Sequence, residues 1–97
     1  MKTLEEIKEL LANNKQAVKE KYKISELGIF GSYVRGEQRQ DSDLDVLIDY
    51  TEAPSLFQLI DLEFYLSDRL QMKVDLVTKN GLKPRIKERI LSEVVYL

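Results

Sequence analysis

Apolar residues recur along this chain at two spacings, one typical of helices and the other of strands. Near the start, Thr3 followed by Glu6 matches a capping box, and aliphatic residues then recur at helical spacing to about Tyr22. Two further helices are predicted, over 54–70 and 82–95. The positions predicted to line their apolar faces are Leu4, Ile7, Leu10, Leu11 and Val18; Leu56, Leu59, Ile60, Leu66 and Leu70, with Phe57 and Phe64 beside them; and Leu82, Ile86, Ile90 and Val94.

Three other segments have the composition and alternation of strands. They are ISELGIF (24–30), DLDVLIDY (43–50) and MKVDLVT (72–78). The first ends at Gly31, a short helix is expected at 33–35 with Gly36 ending it, and Asn-Gly at 80–81 predicts a turn. The last three residues either add a strand or simply pack. This order of elements indicates a single α/β (α+β) domain over 1–97, with helices flanking a small mixed sheet.

Composition narrows the class of protein. The 97 residues suit one domain, and 43% hydrophobic with 33% charged residues is typical of a folded chain. Fifteen basic and seventeen acidic side chains give a formal net charge of -2, so the chain has no strong general attraction for nucleic acid. The basic run KPRIKER at 83–89 is accordingly expected to be a solvated helix face rather than an RNA contact.

The residue types that are missing are also informative. The chain has no histidine and no cysteine, so carboxylates must carry any acid-base or metal chemistry, and the cations that they prefer are hard ones. The first residues mix acids and lysines instead of forming the apolar stretch of a signal peptide, and no later run has membrane-spanning length. A soluble cytoplasmic protein is expected.

Acidic residues stand among the aliphatic residues of two predicted strands. Asp43 and Asp45 share one face of the second strand, and their Cα atoms should lie about 6 to 7 Å apart, close enough to share a cation. Asp75 would join them if the third strand pairs beside the second. Three carboxylates form a ligand set for Mg²⁺ or Mn²⁺, which usually also bind phosphate oxygens. Asp49 shares their face but lies further along, so it is expected to be a solvated strand-end acid.

The Gly31-Ser32 pair supplies the features of a phosphate corner. Glycine allows the backbone to approach a phosphate closely, and a helix start adds N–H donors beside the serine hydroxyl. Arg35 follows within one short turn, and its guanidinium could donate to a phosphate or instead brace the acidic strand. A triphosphate is therefore a natural ligand of this corner.

Taken together, GSYVRG, SDLDVLID and VDLV resemble the nucleotidyltransferase superfamily related to DNA polymerase beta. In that family a glycine-serine corner precedes a D-x-D strand, and a later strand adds a third acid. The short chain is similar to the minimal nucleotidyltransferases (MNT proteins), which are commonly the antitoxins of HEPN toxins. The resemblance implies that Asp43, Asp45 and Asp75 hold two Mg²⁺ ions and act in catalysis, while Gly31 and Ser32 hold the triphosphate of ATP.

The resemblance also implies an activity, namely transfer of AMP from ATP to a tyrosine hydroxyl of a HEPN toxin, which silences the toxin. Two alternatives stay open from the sequence. The chain could be an antitoxin that neutralises its partner by binding alone, or a nucleotidyltransferase that acts on RNA or on a small hydroxylated molecule. The shortness of the chain disfavours a small-molecule acceptor pocket, and the modest net charge disfavours free RNA.

Overall fold

The helices and strands follow one another in nearly the predicted order. The computed structural model describes residues 2–97, so Met1, the first residue of the predicted domain, lies outside the described part. The elements are α1 (Leu4–Tyr22), β1 (Ile24–Phe30), α2 (Ser32–Arg35), β2 (Leu44–Tyr50), α3 (Leu56–Leu70), β3 (Val74–Thr78), a 3-10 turn (Lys79–Gly81), α4 (Pro84–Glu93) and β4 (Val95–Tyr96). Within residues 2–97, no helix is both long and apolar enough to cross a membrane.

The four strands form one mixed sheet in the order β3-β2-β1-β4. β1, one of the two inner strands, runs antiparallel to both β2 and β4. β2 and β3 are parallel, and α3 makes the crossover between them. The predicted fold class, a small mixed sheet flanked by helices, is therefore confirmed, and the last residues of the chain form a strand.

Local hydrogen bonds explain where the two longest helices begin. The hydroxyl of Thr3 accepts from the backbone N–H of Glu6, whose side chain reaches back to the Thr3 backbone. Ser55 and Gln58 form the same reciprocal capping box at the start of α3. Each box satisfies donors that the first helical turn leaves without partners, so these starts can be read from the sequence.

The sheet separates two apolar clusters. The larger one includes α1, α3 and the β2 residues Leu44, Val46 and Ile48, all of which are fully buried. The smaller one, on the face that carries Leu47, joins Phe30 at the end of β1 to Ile90 of α4. Because side chains alternate along β2, the residues between those of the larger cluster, including Asp45, lie on the α4 side.

The structure corrects the predicted inner faces of two helices. On α3 the buried residues are Leu62, Leu66 and Leu70, whereas Leu56 is 69% and Ile60 is 44% exposed. Apolar side chains extend around most of this helix, so periodicity alone could not select the side that packs on α1 and β3. On α4, Ile86 is 47% exposed instead of buried, and only Ile90 of this helix is fully packed.

This packing leaves an apolar stripe on the outside of α3. Its members, here called the α3 stripe, are Leu56, Phe57, Ile60 and Phe64, with exposures between 44% and 82%. They stand at helical spacing and therefore share one face. Four large exposed apolar side chains on so small a protein indicate a surface that another molecule covers.

The two faces of α3 should differ sharply when truncated. Leu66→Ala removes a completely buried side chain and should lower the free energy of unfolding by about 2 to 5 kcal/mol. Phe64→Ala, two residues away on the α3 stripe, should change it by no more than about 0.5 kcal/mol. Urea unfolding of both variants checks this, and equal losses would contradict the assigned faces.

Candidate active site

The register of the sheet brings two of the predicted acids side by side. Asp45 on β2 pairs with Asp75 on β3, and on its other side with Phe30 at the end of β1. Partners on parallel neighbouring strands point to the same face, about 4.8 Å apart. Asp43 immediately precedes β2, so all three acids lie near the end of the sheet where Gly31 leaves β1.

Gly31 makes the closest approach to these acids. Its backbone has φ 82° and ψ −152°, a conformation that residues with a side chain rarely adopt. A Cβ atom built on Gly31 would overlap the Asp45 carboxylate. Gly31 precedes α2, whose first turn receives no side-chain cap. The predicted phosphate corner therefore lies directly against the acidic strand.

Asp45 is the most perturbed acid of the site. Its side chain is partly buried, and burial, followed by the charges of Asp75 and Asp43, raises the pKa of Asp45 from 3.8 to about 6. Arg35 acts in the opposite direction, and Glu93 adds a smaller unfavourable contribution. The ionised form is thus disfavoured by desolvation and repulsion, which a cation beside the carboxylate would relieve.

The other two acids are more accessible. Asp75 is exposed on β3, and Asp43 forms an ion pair with Lys73, with 3.7 Å between the carboxylate and Nζ. Lys73 immediately precedes β3, and its carbonyl accepts the N–H of Leu44. Among residues 2–97, no group of three or more acids is arranged so that it could hold a metal ion as it stands.

The donor set nevertheless fits a hard divalent cation. All three side chains are carboxylates, and the chain contains no histidine or thiolate that would favour a softer metal. Burial, and after it the neighbouring charges of Asp75 and Asp43, raise the pKa of Asp45, and a divalent cation would offset both effects. Asp43 would have to leave Lys73 to join a shared ion. The assignment of Asp43, Asp45 and Asp75 as metal ligands stays a prediction.

Arg35 binds acids in this structure. Its Nη1 donates to both carboxylate oxygens of Glu93, at 3.1 and 3.0 Å, and its Nε donates to Glu37 at 3.2 Å. The sequence left two roles open for Arg35, a donor to a phosphate or a brace for the acidic strand, and in this structure its hydrogen bonds to Glu93 brace the end of α4. The guanidinium stays exposed beside Gly31, so a phosphate can still reach it.

Glu93 is the residue of this site that the sequence did not reveal. Its Oε2 accepts the backbone N–H of Gly31 at 2.6 Å as well as the Arg35 contacts. Sixty-two positions separate Glu93 from Gly31, and no local motif links them. An acid in the last turn of a helix is electrostatically unfavourable, and this unusual position was the one signal in the sequence that could have pointed to Glu93.

One further acid and one serine considered from the sequence, Asp49 and Ser42, make local hydrogen bonds of their own. Asp49 accepts from the N–H of Tyr50 at 2.9 Å, in line with its expected place at the end of the strand. Ser42 accepts from the N–H of Arg39 and so shapes the loop before β2. A cavity of about 660 Å³ adjoins the site, and its lining includes Asp43 but neither Asp45 nor Gly31.

The Asp45 carboxylate should destabilise the metal-free fold at neutral pH. Because its pKa is raised from 3.8 to about 6, the cost of ionising it is fully present above pH 6 and disappears as the pH falls towards 4. In a chelating buffer, Asp45→Asn should therefore melt at a higher temperature than the wild type at pH 7.5. The difference should shrink by pH 4.5.

The matched control is Asp41→Asn, because Asp41 is an exposed loop acid. This variant should differ little from the wild type at either pH. Thermal melts over the pH range check both variants. A stabilisation by Asp45→Asn that is constant or grows at low pH would contradict the raised pKa.

Comparisons with known proteins agree with this geometry. The family model described as a nucleotidyltransferase domain matches residues 11–97. A relative from Thermococcus cleftensis, named protein adenylyltransferase MntA, is 50% identical over 97 residues, which cover 100% of this chain and 98% of the relative. The matched region thus spans the whole chain, including the positions of the candidate site residues.

Solved structures share the same fold. One protein, described provisionally as a minimal nucleotidyltransferase, is 33% identical and superimposes with a TM-score of 0.78 over 94% of this chain and 95% of that one. A solved complex of a tri-AMPylated Shewanella oneidensis HEPN toxin with an MNT antitoxin contains a chain of similar fold. That chain is 20% identical and superimposes with a TM-score of 0.62, over 95% of this chain and 66% of that one. The chain therefore belongs to the nucleotidyltransferase family, and its predicted resemblance to the minimal nucleotidyltransferases is confirmed.

Proposed function

We propose that this nucleotidyltransferase transfers AMP from ATP to a tyrosine hydroxyl of a HEPN-type toxin and so acts as an antitoxin in the cytoplasm. The observation that carries the proposal is the contact between the Gly31 backbone and the Asp45 carboxylate. It sets a candidate phosphate corner directly against a group of acids. Such a juxtaposition suits a triphosphate whose charge is shared with divalent cations.

Each site residue has a separate role in this proposal. The N–H of Gly31 and the hydroxyl of Ser32 donate to the triphosphate, and Arg35 neutralises part of its charge. Asp43, Asp45 and Asp75 hold the divalent cations. When bound, Mg²⁺ (or Mn²⁺) activates the acceptor hydroxyl and neutralises the departing pyrophosphate. The chain itself supplies position and a fixed electrostatic environment.

Asp75 is the acid best exposed to an incoming acceptor. It lies on β3 beside Asp45, with its carboxylate open to solvent. In the transfer, the acceptor oxygen forms a bond to the α-phosphorus of ATP while the bond to pyrophosphate breaks. Asp75 takes the hydroxyl proton, since the chain has no histidine to serve as base.

A protein acceptor is favoured by the names of the relatives and by the surface of this chain. The Thermococcus relative is named a protein adenylyltransferase, and the Shewanella complex holds an AMPylated toxin. Here the α3 stripe offers an apolar contact surface. Glu63 and Asp68 flank it, while Asp61 is paired with Lys21, so a partner with basic borders suits the stripe better than a second acidic copy.

The same stripe keeps a second function open, neutralisation of the toxin by binding alone. A docking surface serves that function without any transfer, and the three acids are not gathered as a metal site among residues 2–97. The two functions differ in whether the acids are needed for protection. RNA or a small molecule as acceptor gains no support from any surface described above.

Transfer should depend on the paired strand acids. Purified protein, ATP, Mg²⁺ and a HEPN-type toxin should yield a toxin heavier by whole AMP units in intact-mass spectrometry. Asp43→Asn combined with Asp45→Asn should reduce the rate at least about a thousandfold, because both metal-binding carboxylates are lost. The double variant should also fail to protect cells against the toxin.

The control for that experiment is Asp49→Asn, a change of the same type on the same strand. It should keep transfer within about threefold of the wild type, because Asp49 bonds its own strand end. If the double variant still protects cells as well as the wild type, binding alone is the function and the transfer proposal is wrong.

Docking should depend on the α3 stripe. Phe57→Ser with Phe64→Ser removes two of its most exposed aromatic side chains and should weaken binding to the HEPN protein by at least about tenfold. ATP binding should not change. Ile86→Ser, an exposed apolar change on α4, is the matched control and should bind normally. Calorimetry measures both, and equal affinities for all three proteins would exclude the stripe as the docking surface.

A further inference from the structure

The carboxylate of Glu93 lies where the proposed function needs a phosphate oxygen. Its Oε2 is 2.6 Å from the N–H nitrogen of Gly31 and 3.0 Å from Nη1 of Arg35. Its Oε1 lies 3.1 Å from the same Nη1. The side chain is only 17% exposed. Two of the donors assigned to the triphosphate therefore already hold one anion, and it belongs to the chain itself.

The position of Glu93 in its helix is electrostatically unfavourable. It is the last residue of α4, a helix end whose carbonyls carry partial negative charge, and no basic residue lies in that turn. Capping of the helix does not explain an acid there, because Val94 closes α4 through its own backbone N–H. The contacts with Gly31 and Arg35 are what compensate the charge.

The following strand fixes the place of Glu93 without fixing its side chain. Val95 pairs with Ile29 and Tyr96 with Gly28, two and three residues before Gly31. This pairing aligns the end of α4 with the end of β1. The flexible glutamate side chain bridges the remaining gap, and rotation about its own bonds can withdraw it without breaking the sheet.

Glu93 also adds negative charge to a site that has an excess of it. Asp45 lies against Gly31, and Glu93 adds to the repulsion that Asp75 and Asp43 exert on the Asp45 carboxylate. A triphosphate that entered beside a bound Glu93 would face one more carboxylate, and Nη1 and Nε of Arg35 would already have acidic partners. The two anions are therefore competitors for one set of donors.

We propose that Glu93 is a phosphate stand-in, which holds Gly31 and Arg35 in place before the nucleotide arrives and is displaced by the triphosphate. This inference rests on the proposed function, since it takes the glycine corner to be the phosphate site. If Glu93 were instead a permanent support for the glycine corner, its removal would have the opposite effect on nucleotide affinity. Removing a support weakens nucleotide binding, whereas removing a competitor strengthens it.

The charge of Glu93 should therefore oppose nucleotide binding. Glu93→Gln keeps the shape and one acceptor oxygen but loses the charge, so it should bind ATP about tenfold more tightly than the wild type. Inorganic tripolyphosphate should show the same gain, and adenosine should show none. Isothermal titration with Mg²⁺ and without a protein acceptor measures all three ligands. An unchanged or weaker affinity for ATP would overturn the inference.

Three further variants separate the effect of the Glu93 charge at this position from the effects of side-chain length, of the Arg35–Glu37 bond and of net charge. Glu93→Asp keeps the charge but shortens the reach to Gly31, so it should show a smaller gain in ATP affinity. Glu37→Gln frees one bond of Arg35 without touching Gly31 and should gain less than Glu93→Gln. Glu88→Gln, an exposed change on the same helix, should leave ATP affinity unchanged. Equal gains for Glu88→Gln and Glu93→Gln would reduce the effect to net charge and overturn the inference.

Stability gives an independent readout. Without nucleotide, Glu93→Gln should melt at a lower temperature than the wild type, because the charged bonds to Gly31 and Arg35 are weakened. Saturating ATP should then raise its melting temperature more than that of the wild type. A variant that melts lower and also gains less from ATP would show a permanent support instead.

These outcomes are distinct from those of the proposed function. If Glu93→Gln binds ATP more tightly but no AMP reaches the HEPN protein, the stand-in holds and the transfer proposal fails. If AMP is transferred normally and Glu93→Gln binds ATP less tightly, the transfer proposal holds and the stand-in fails. If neither protein binds ATP or tripolyphosphate, both are wrong.

Discussion

The close approach of the Gly31 backbone to the Asp45 carboxylate is the constraint on which the candidate site depends. It requires a residue without a side chain at the end of β1 and an acid at the register position opposite Phe30. The contact leaves Asp45 partly buried, next to other negative charges, at a cost visible in its raised pKa. A fold that served stability alone would place an apolar residue there.

The surrounding structure counters this excess of charge with nearby cationic groups. Lys73 pairs with Asp43, and Arg35 lies close enough to lower the cost of ionising Asp45. The same Arg35 and the Gly31 N–H hold Glu93 at the end of α4. None of the residues named here belongs to the larger apolar cluster on the other face of the sheet. The candidate site and the larger apolar cluster thus lie on opposite faces of the sheet.

Helix α3 shows where reasoning from one sequence stops. Its start at Ser55 follows from a local capping box, and its length follows from the apolar content. Leu56 and Leu62 are both leucines that point to different sides of the helix. No local rule could choose which of the two is buried against the rest of the protein. The packing of α1 and β3 made that choice and left the α3 stripe outside.

The sequence by itself determined the order of elements, the glycine at the tight corner and the acids of the two strands, because each depends on neighbours a few residues away. Tertiary structure alone decided that Glu93 reaches Gly31, that Lys73 holds Asp43 and which face of α3 stays bare. Those contacts join segments that only strand pairing and helix packing bring together. Their energies depend on distance in space, which spacing along the chain does not record.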